Sequence, residues 1–492
     1  MVKKLLNFLH RHKHIRRILF GTTLLLLMVF IATRIYYSLT PQMNVILISI
    51  DTLRPDHMGV YGYARNTTPN IDAFAKNATV FTQAYTVIPM TEPSFTALLT
   101  GKSPFNTRVI TNGGIPVSSN VPTLATILKK VNYITATFTT GIYPKAIDLG
   151  RGFDTQEFYQ YKYYSSKNNS EYYTEGDNRT YDNLIQHAVN WLHNNRKTKF
   201  FLWVHLLDPH APYIPPRNIV CKFLTKSECQ HVSKMTQVQI ETLRAQYQQC
   251  QEKKVPPEVV SIMRALYDAE ILNADRLEGE LLNQLKKDDN DKKTVVVIYG
   301  DHGEGFDHNY YFNHREVLYN SAVHIPLIIK DPEISHSGTE SILLQNIDIL
   351  PTLLDLLHVS KKDYLFDGKS FASLFSNNPL SQLRLFLHKR EIYASNSTWT
   401  KFSVSDGAYS YIYSLPGSCR LNGQAEELYN IVLDPGEERN LITGMPEVAA
   451  RMKNDLFNYL SRYNLPQATP INKNENAATH EKALQDIKGF AY

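Results

Sequence analysis

An α/β fold, with helices over both faces of a parallel-containing sheet, is what this sequence predicts, and three observations predict it. Residues 44–50 (N-V-I-L-I-S-I), 199–205 (K-F-F-L-W-V-H) and 294–299 (T-V-V-V-I-Y) are apolar, β-branched or aromatic runs, the pattern of strands buried on both faces. Helical stretches separate them, so the strands can run parallel with crossover connections. Asp51 stands directly after the first run, His205 closes the second, and Asp301 and His302 follow the third. The carboxyl ends of parallel strands form the crevice in which open α/β sheets bind ligands.

In order, residues 61–69 read as a loop, 70–78 as a helix under an Asn or Thr cap, and 80–85 as a short alternating strand. A helix opens near Thr91, because Pro93 is tolerated in a first turn and residues 94–99 can continue it. A helix over 123–131 and a strand over 134–139 follow. The Tyr- and Asn-rich run 159–181 lacks periodicity and reads as a surface loop over the site. Residues 181–195 are amphipathic, 214–256 form a polar insertion, and 259–285 carry a long amphipathic helix. Beyond a strand at 325–329 and a helix at 348–357, short alternating strands (393–404, 409–413) lead into 427–441 and a last helix. The tail after Gln467 is polar and loosely held.

The 492 residues and 43% hydrophobic content allow a large core of ordinary globular composition. The net charge of +5 is concentrated at one end: Lys3, Lys4, Arg11, Lys13, Arg16 and Arg17 precede any acid, and removing those six leaves −1. No basic nucleic-acid surface follows. Residues 18–33 are uncharged and mostly apolar, short against the about 20 residues that span a bilayer. Arg34 can snorkel, and residues 35–39 extend the helix with Tyr36 and Tyr37 at an interface. The expectation is an uncleaved single-pass anchor in the cytoplasmic membrane, its basic end inside and the rest periplasmic or extracellular. The expected organisation is a basic cytoplasmic segment (1–17), the anchor (18–39), a catalytic domain (44–385, insertion about 214–256), a C-terminal subdomain (386–466) and a tail (467–492). Cys221, Cys229, Cys250 and Cys419 fit an oxidising compartment. Three pairings are open; Cys221 with Cys229 or Cys250 is preferred, since all three lie in one polar insertion.

Residues 91–101 read T-E-P-S-F-T-A-L-L-T-G. A hydroxyl at a helix start, where free N–H groups and the helix dipole favour an anion, suits a phosphate or sulfate ester. Alone, Thr91 would read as a helix cap. The stretch resembles the nucleophile segment of the sulfatases, C/S-x-P-S-R-x-x-L-x-T-G, with Thr91 at the nucleophile position. I-S-I-D-T-L-R-P-D-H (48–57), H-L-L-D-P-H-A-P-Y (205–213) and Y-G-D-H-G-E-G-F (299–306) match the same family in order, over roughly 45–441. The resemblance, which reaches the wider alkaline phosphatase superfamily, implies an α/β/α sandwich with a mixed, largely parallel sheet and a small antiparallel C-terminal subdomain.

Asp51, Thr91, Asp301 and His302 would form one mixed oxygen and nitrogen site for a divalent ion, Zn²⁺ foremost, with Mn²⁺, Mg²⁺ or Ca²⁺ as alternatives. Each donor has a bland reading as a turn former, cap or loop histidine; their joint placement at element ends favours the site. His210 and His314 resemble positions where the family sets cationic or proton-donating groups around the anion and leaving oxygen. Asp208 is expected to orient one histidine, His205 to be buried behind them, and Arg54 and Lys102 to form structural pairs.

The departures narrow the chemistry. Sulfatases convert Cys or Ser at the nucleophile position to an aldehyde, which threonine cannot give because its Cβ carries a methyl. Arg after P-S is Phe95 here, and the second acid of the usual D-D pair is Thr52. The acid, Thr, Asp-His set resembles the membrane-anchored phosphoethanolamine and phosphoglycerol transferases, which form a phospho-threonine, although these carry several membrane spans. The expectation is a metal-dependent hydrolase or phosphotransferase acting on phosphoryl, less so sulfuryl, esters of a membrane lipid or glycan. The alternative is a silent relative that binds an anionic glycan or lipid head group.

Overall fold

The computed structural model describes residues 21–28, 43–141, 148–159, 179–247, 255–333, 337–376, 380, 390–420 and 423–463. The chain divides into two units, 1–43 and 44–492. In the first, residues 21–28 are helical with exposed side chains. Among the described residues no helix is long and apolar enough to cross a membrane. The expected anchor over 18–39 lies largely outside them, as do most of the 159–181 run and the tail.

The second unit is organised by an eight-stranded sheet. Its strands are β1 (Asn44–Ile50), β2 (Thr79–Phe81), β3 (Ile134–Thr140), β4 (Thr155–Tyr159), β5 (Phe200–Leu206), β6 (Thr294–Gly300), β7 (Leu327–Lys330) and β8 (Gly338–Glu340). They are ordered β8-β2-β7-β6-β1-β5-β3-β4. From β6 across to β4 every neighbouring pair is parallel, whereas β7 runs antiparallel to both β6 and β2. This is the parallel-containing sheet the strand runs imply, in the mixed, largely parallel form that the resemblance implies. The expected strand over 80–85 is split: Thr79–Phe81 joins the main sheet, and Ala84–Tyr85 pairs with Leu344–Gln345 in a separate one.

Strand parity assigns the two faces. Ile46, Ile48, Leu202, Val204, Val296 and Ile298 enter a core shared with side chains of Arg179–Asn194 and of the 31-residue helix Pro257–Lys287. Residues of the other parity point to the opposite layer, where Phe95 of helix α1 (Thr91–Thr100) packs on Trp203 with ring centroids 5.0 Å apart. Ser49 is in register with His205 on one side and Tyr299 on the other. The side chains of 49, 205 and 299 therefore form one row on the α1 face, and Asp51 and Asp301 share their parity one step further on.

A four-stranded antiparallel sheet follows, β9 (Ile392–Ser395), β10 (Lys401–Ser405), β11 (Tyr409–Ser414) and β12 (Glu426–Asn430), consecutive in sequence and space. It packs against the final helix Pro446–Ser461 through Phe402, Leu428, Met452 and Leu456. The expected single stretch 393–404 is two strands, because Asn396 turns the chain by binding the Thr400 and Lys401 amides at 2.9 and 3.0 Å. The insertion is more regular than its composition suggests. Thr225 with Glu228 and Thr236 with Gln239 close reciprocal caps on helices Lys226–Val232 and Gln237–Ala245, a T-x-x-E/Q signature already present in the sequence. Cys221 and Cys229 are disulfide-bonded, one of the two preferred pairings, and Cys419 is disulfide-bonded as well.

Candidate active site

Four side chains from three separate elements meet beyond the carboxyl ends of β1 and β6. Asp51 and Asp301 come from the strand ends and Thr91 from the first residue of α1. That helix is capped by the backbone of Met90 without a side-chain cap. Thr91 is therefore not the cap: its hydroxyl points away from its own helix, 3.4 Å from Asp51 Oδ2 and 3.4 Å from His302 Nε2.

The helix is held over the strand ends by buried polar contacts. Ser94 Oγ donates to the Asp301 carbonyl at 2.8 Å. With that proton committed, the Tyr299 hydroxyl must donate to Ser94 Oγ, with which it shares a short hydrogen bond. Asn346 Nδ2 reaches the same oxygen at 3.0 Å. All three groups are buried or nearly so, where satisfied networks fix a unique geometry.

Each donor is aimed by its neighbours. The Thr52 and His302 amides occupy Asp301 Oδ1 at 3.0 and 2.8 Å, so Oδ2 alone faces the centre. His302 Nδ1 lies 3.0 Å from the Gly303 carbonyl; a carbonyl only accepts, so Nδ1 carries the proton and Nε2 presents a lone pair. Among the described residues, Asp51 Oδ1 and Asp301 Oδ2 are buried with no hydrogen-bond partner. Burial first, and then the Asp51 charge, push the Asp301 carboxyl well above the usual range. Two buried carboxylates with unsatisfied oxygens beside a bare imidazole nitrogen fit a cation. Single ligand atoms of Asp51, Asp301 and His302 lie within 4.8 Å of one another. The 3.4 Å spacings from Thr91 Oγ1 to its two neighbours are long for hydrogen bonds but match the edge of a tetrahedron with bonds of about 2.1 Å.

The other expected residues divide. His314 is buried, its ring centroid 4.1 Å from that of His302, and the half-buried His210 lies 5.6 Å from His314. Burial, and then the nearby His302 and His210, pull His314 well below the usual imidazole range. Among the described residues Asp208 orients no histidine: it is buried and accepts from Asn273 Nδ2 at 3.0 Å, and burial pushes it up to about 6. Arg54 pairs with Asp56 at 2.7 Å and Asp307 at 3.2 Å, and Lys102 with Asp367 at 3.5 Å.

Sequence reasoning passed over Glu304, and it named His205, Phe95 and Thr52 without giving them a part in the site. His205 is fully buried, as expected, but its Nε2 reaches within 3.6 Å of Asp51 Oδ2; its place at a strand end was the available signal. Glu304 is buried 3.4 Å from His314 Nδ1. Phe95, where the sulfatase pattern has Arg, lays its ring edge-on to His205 at 4.8 Å, so an aromatic wall stands where a guanidinium would. Thr52, in place of the second acid, has φ 51° and a buried hydroxyl without a hydrogen-bond partner among the described residues.

A doubly covered α/β sheet with an acid, threonine, acid and histidine converging at its strand ends defines the class of protein. The sulfatase family model matches residues 43–359, and the chain belongs to that family. A second model, N-sulphoglucosamine sulphohydrolase, C-terminal, matches 306–462. The chain is 25% identical over 431 residues to a Delta 4,5-hexuronate-2-O-sulfatase of Bacteroides thetaiotaomicron, covering 81% of this chain and 84% of that protein. Its fold is similar to that of a 2-O GAG sulfatase (TM-score 0.66, 22% identity, 86% and 92% covered). It is also similar to that of the phosphonate monoester hydrolase of Agrobacterium radiobacter (TM-score 0.64, 19% identity, 87% and 99% covered). Family and likeness together support an ester-hydrolysing enzyme.

Proposed function

We propose that the chain is a divalent-metal-dependent hydrolase or transferase that cleaves phosphoryl esters, in preference to sulfuryl esters, through a covalent intermediate on Thr91. One observation carries the reading: the Thr91 hydroxyl, which no oxidation turns into an aldehyde, lies 3.4 Å from both Asp51 and His302 inside an unsatisfied donor set. Asp51, Asp301 and His302 would hold the ion, with Thr91 as a fourth donor. Bound there, a divalent ion such as Zn²⁺ polarises the ester oxygen and stabilises the Thr91 alkoxide.

Thr91 Oγ1–H donates to Asp51 Oδ2, which draws off the proton as the oxygen attacks phosphorus. The Thr91 O–P bond forms, the P–O bond to the alcohol breaks, and the leaving oxygen takes a proton from the rim, where His210 stands beside the buried His314. Water or an acceptor hydroxyl then attacks the same phosphorus from the vacated side and passes its proton to the rim, while the Thr91 O–P bond breaks and Asp51 returns its proton to the Thr91 oxygen. Phe95 supports this route over the aldehyde route, because it removes the arginine that accompanies the aldehyde in the family pattern.

The basic N-terminal flank and the apolar run 18–33 support a single-pass anchor in the cytoplasmic membrane, with the enzyme outside the cytoplasm and a lipid or glycan ester as substrate. Matched phosphate and sulfate monoesters of one phenol test the chemistry. The reading requires kcat/KM to favour the phosphate and both activities to need Thr91; sulfate turnover that survives Thr91→Ala would overturn it.

A further inference from the structure

The edge of the large sheet opposite the reaction centre has a charge pattern of its own. β1, β3, β5 and β6 start there, parallel and in register. The segments that lead into them are bonded into one surface. The Asn44 amide donates to the Lys293 carbonyl at 2.8 Å, Asn290 Nδ2 to the Arg196 carbonyl at 3.1 Å, and Lys199 Nζ to the Val131 carbonyl at 3.1 Å.

Lys197, Lys286, Lys287, Lys292 and Lys293 are exposed on this surface, and among the described residues their ammonium groups have no ion pair or hydrogen bond. The helix dipole accounts for Lys286 and Lys287, which stand in a last helical turn. Lys197, Lys292 and Lys293 lie in loops and have no such employment. The acids do not balance them. Asp154, Asp288 and Asp291 are engaged by Lys129, His193 and Lys330, and Asp289 and Asp363 are exposed nearby. An apolar side chain stands out beside the lysines: Leu365 is 85% exposed. Its loop is tied to the same edge, because Lys130 Nζ lies 5.5 Å from the centroid of the Tyr364 ring.

The chain enters the sheet at this edge. Only residues 40–43 separate Asn44 from the end of the stretch 18–39, a reach of at most about 18 Å. β1 then carries the chain about 20 Å to Asp51 at the opposite edge. Uncommitted lysines around an exposed leucine, next to the point of entry, fit an anionic boundary between water and hydrocarbon. We propose that this edge rests on anionic phospholipid head groups, with Leu365 in the acyl boundary, and that the reaction centre opens away from the membrane. The placement rests on the anchor reading under the proposed function, and it adds the docking face and the class of lipid.

The full chain in phosphatidylcholine vesicles, with and without phosphatidylglycerol, tests it. Acyl chains brominated near the head group quench an indole that enters the boundary, so Leu365→Trp reports docking. Leu433→Trp is the control, since Leu433 is 84% exposed on the segment whose Glu437 carbonyl meets His308. Phosphatidylglycerol should raise quenching of the indole added at 365 about threefold or more at low salt. The rise should vanish when Lys292→Glu and Lys293→Glu are added, and the indole at 433 should stay unquenched. Quenching at 365 that ignores phosphatidylglycerol or the two lysines, or equal quenching at both positions, overturns the proposal. Flotation with pure phosphatidylcholine reads the anchor separately. A chain that floats there while the indole at 365 stays unquenched in either lipid keeps its anchor and loses the docking face. A chain that floats only with phosphatidylglycerol, through the two lysines, loses the anchor and keeps the face.

Discussion

The donor cluster and the cleft beside it, which His210, Arg244, Glu304, Asn313, His314 and Arg315 help to line, differ in how they are made. Asp51, Asp301 and His302 follow directly from two neighbouring parallel strands, and Thr91 from a helix stitched to one of them by Ser94. The cleft wall is assembled from the insertion helix Gln237–Ala245, a turn strained at Phe312 and the 208–213 loop. Regular structure fixes the first to within a side chain's reach, and loops braced by Arg244 set the second. A family can therefore keep its reaction centre while the wall, which meets the rest of the substrate, is rebuilt.

The comparison breaks first at Thr91. Thr91→Ala should lower kcat by about 10⁴-fold or more, and Thr91→Ser by far less, since only the former removes the attacking oxygen. Steady-state rates on a phosphate monoester decide this. Asp301→Asn removes one of the two carboxylate charges facing the centre. It should abolish stoichiometric divalent-metal binding and lower activity about 10³-fold, while Arg315→Ala keeps its metal; elemental analysis of the purified proteins separates the two regions.

Phe95 tests whether the centre rests on packing alone at its floor. The ring is fully buried against Trp203, His205 and Tyr299, so Phe95→Ala should cost about 3 kcal/mol of stability, read from urea unfolding. The smallest effect lies on the far side of the D-H-G-E-G-F segment. Burial presses the His308 imidazolium down, but its bond to Asp307 at 2.8 Å outweighs this and raises it to about 9. A raised folded-state value stabilises fully below the unfolded value near 6.5 and is lost as pH rises through about 9. Unfolding free energy should thus fall as pH rises through that window, and by less in His308→Gln.

What could be read without coordinates follows the same division. The buried strands announced themselves as unbroken apolar runs, and Asp51, Asp301 and His302 were legible because each stands where such a run stops. Thr91 was legible from Pro93 and the motif around it. His205 was harder, since its final strand position fits a packing role as well as a site role, and parity with Ser49 emerges only from the strand register. Asp208 misled, because a loop acid near two histidines is indistinguishable in sequence from one turned inward to Asn273. Arg244 was out of reach: nothing local to residue 244 says that its guanidinium ends on the Phe312 carbonyl. The caps at Thr225 and Thr236 were in plain view and went unread in a segment rich in Gln and Lys.

The most direct test of the central claim is to quench turnover of a phosphate monoester in its first moments, digest the protein and map the peptide that contains Thr91. The account predicts a phosphoryl group on the Thr91 oxygen, absent from Thr91→Ala. A phosphoryl group on another residue, or undiminished turnover by Thr91→Ala with no adduct on this peptide, would contradict it.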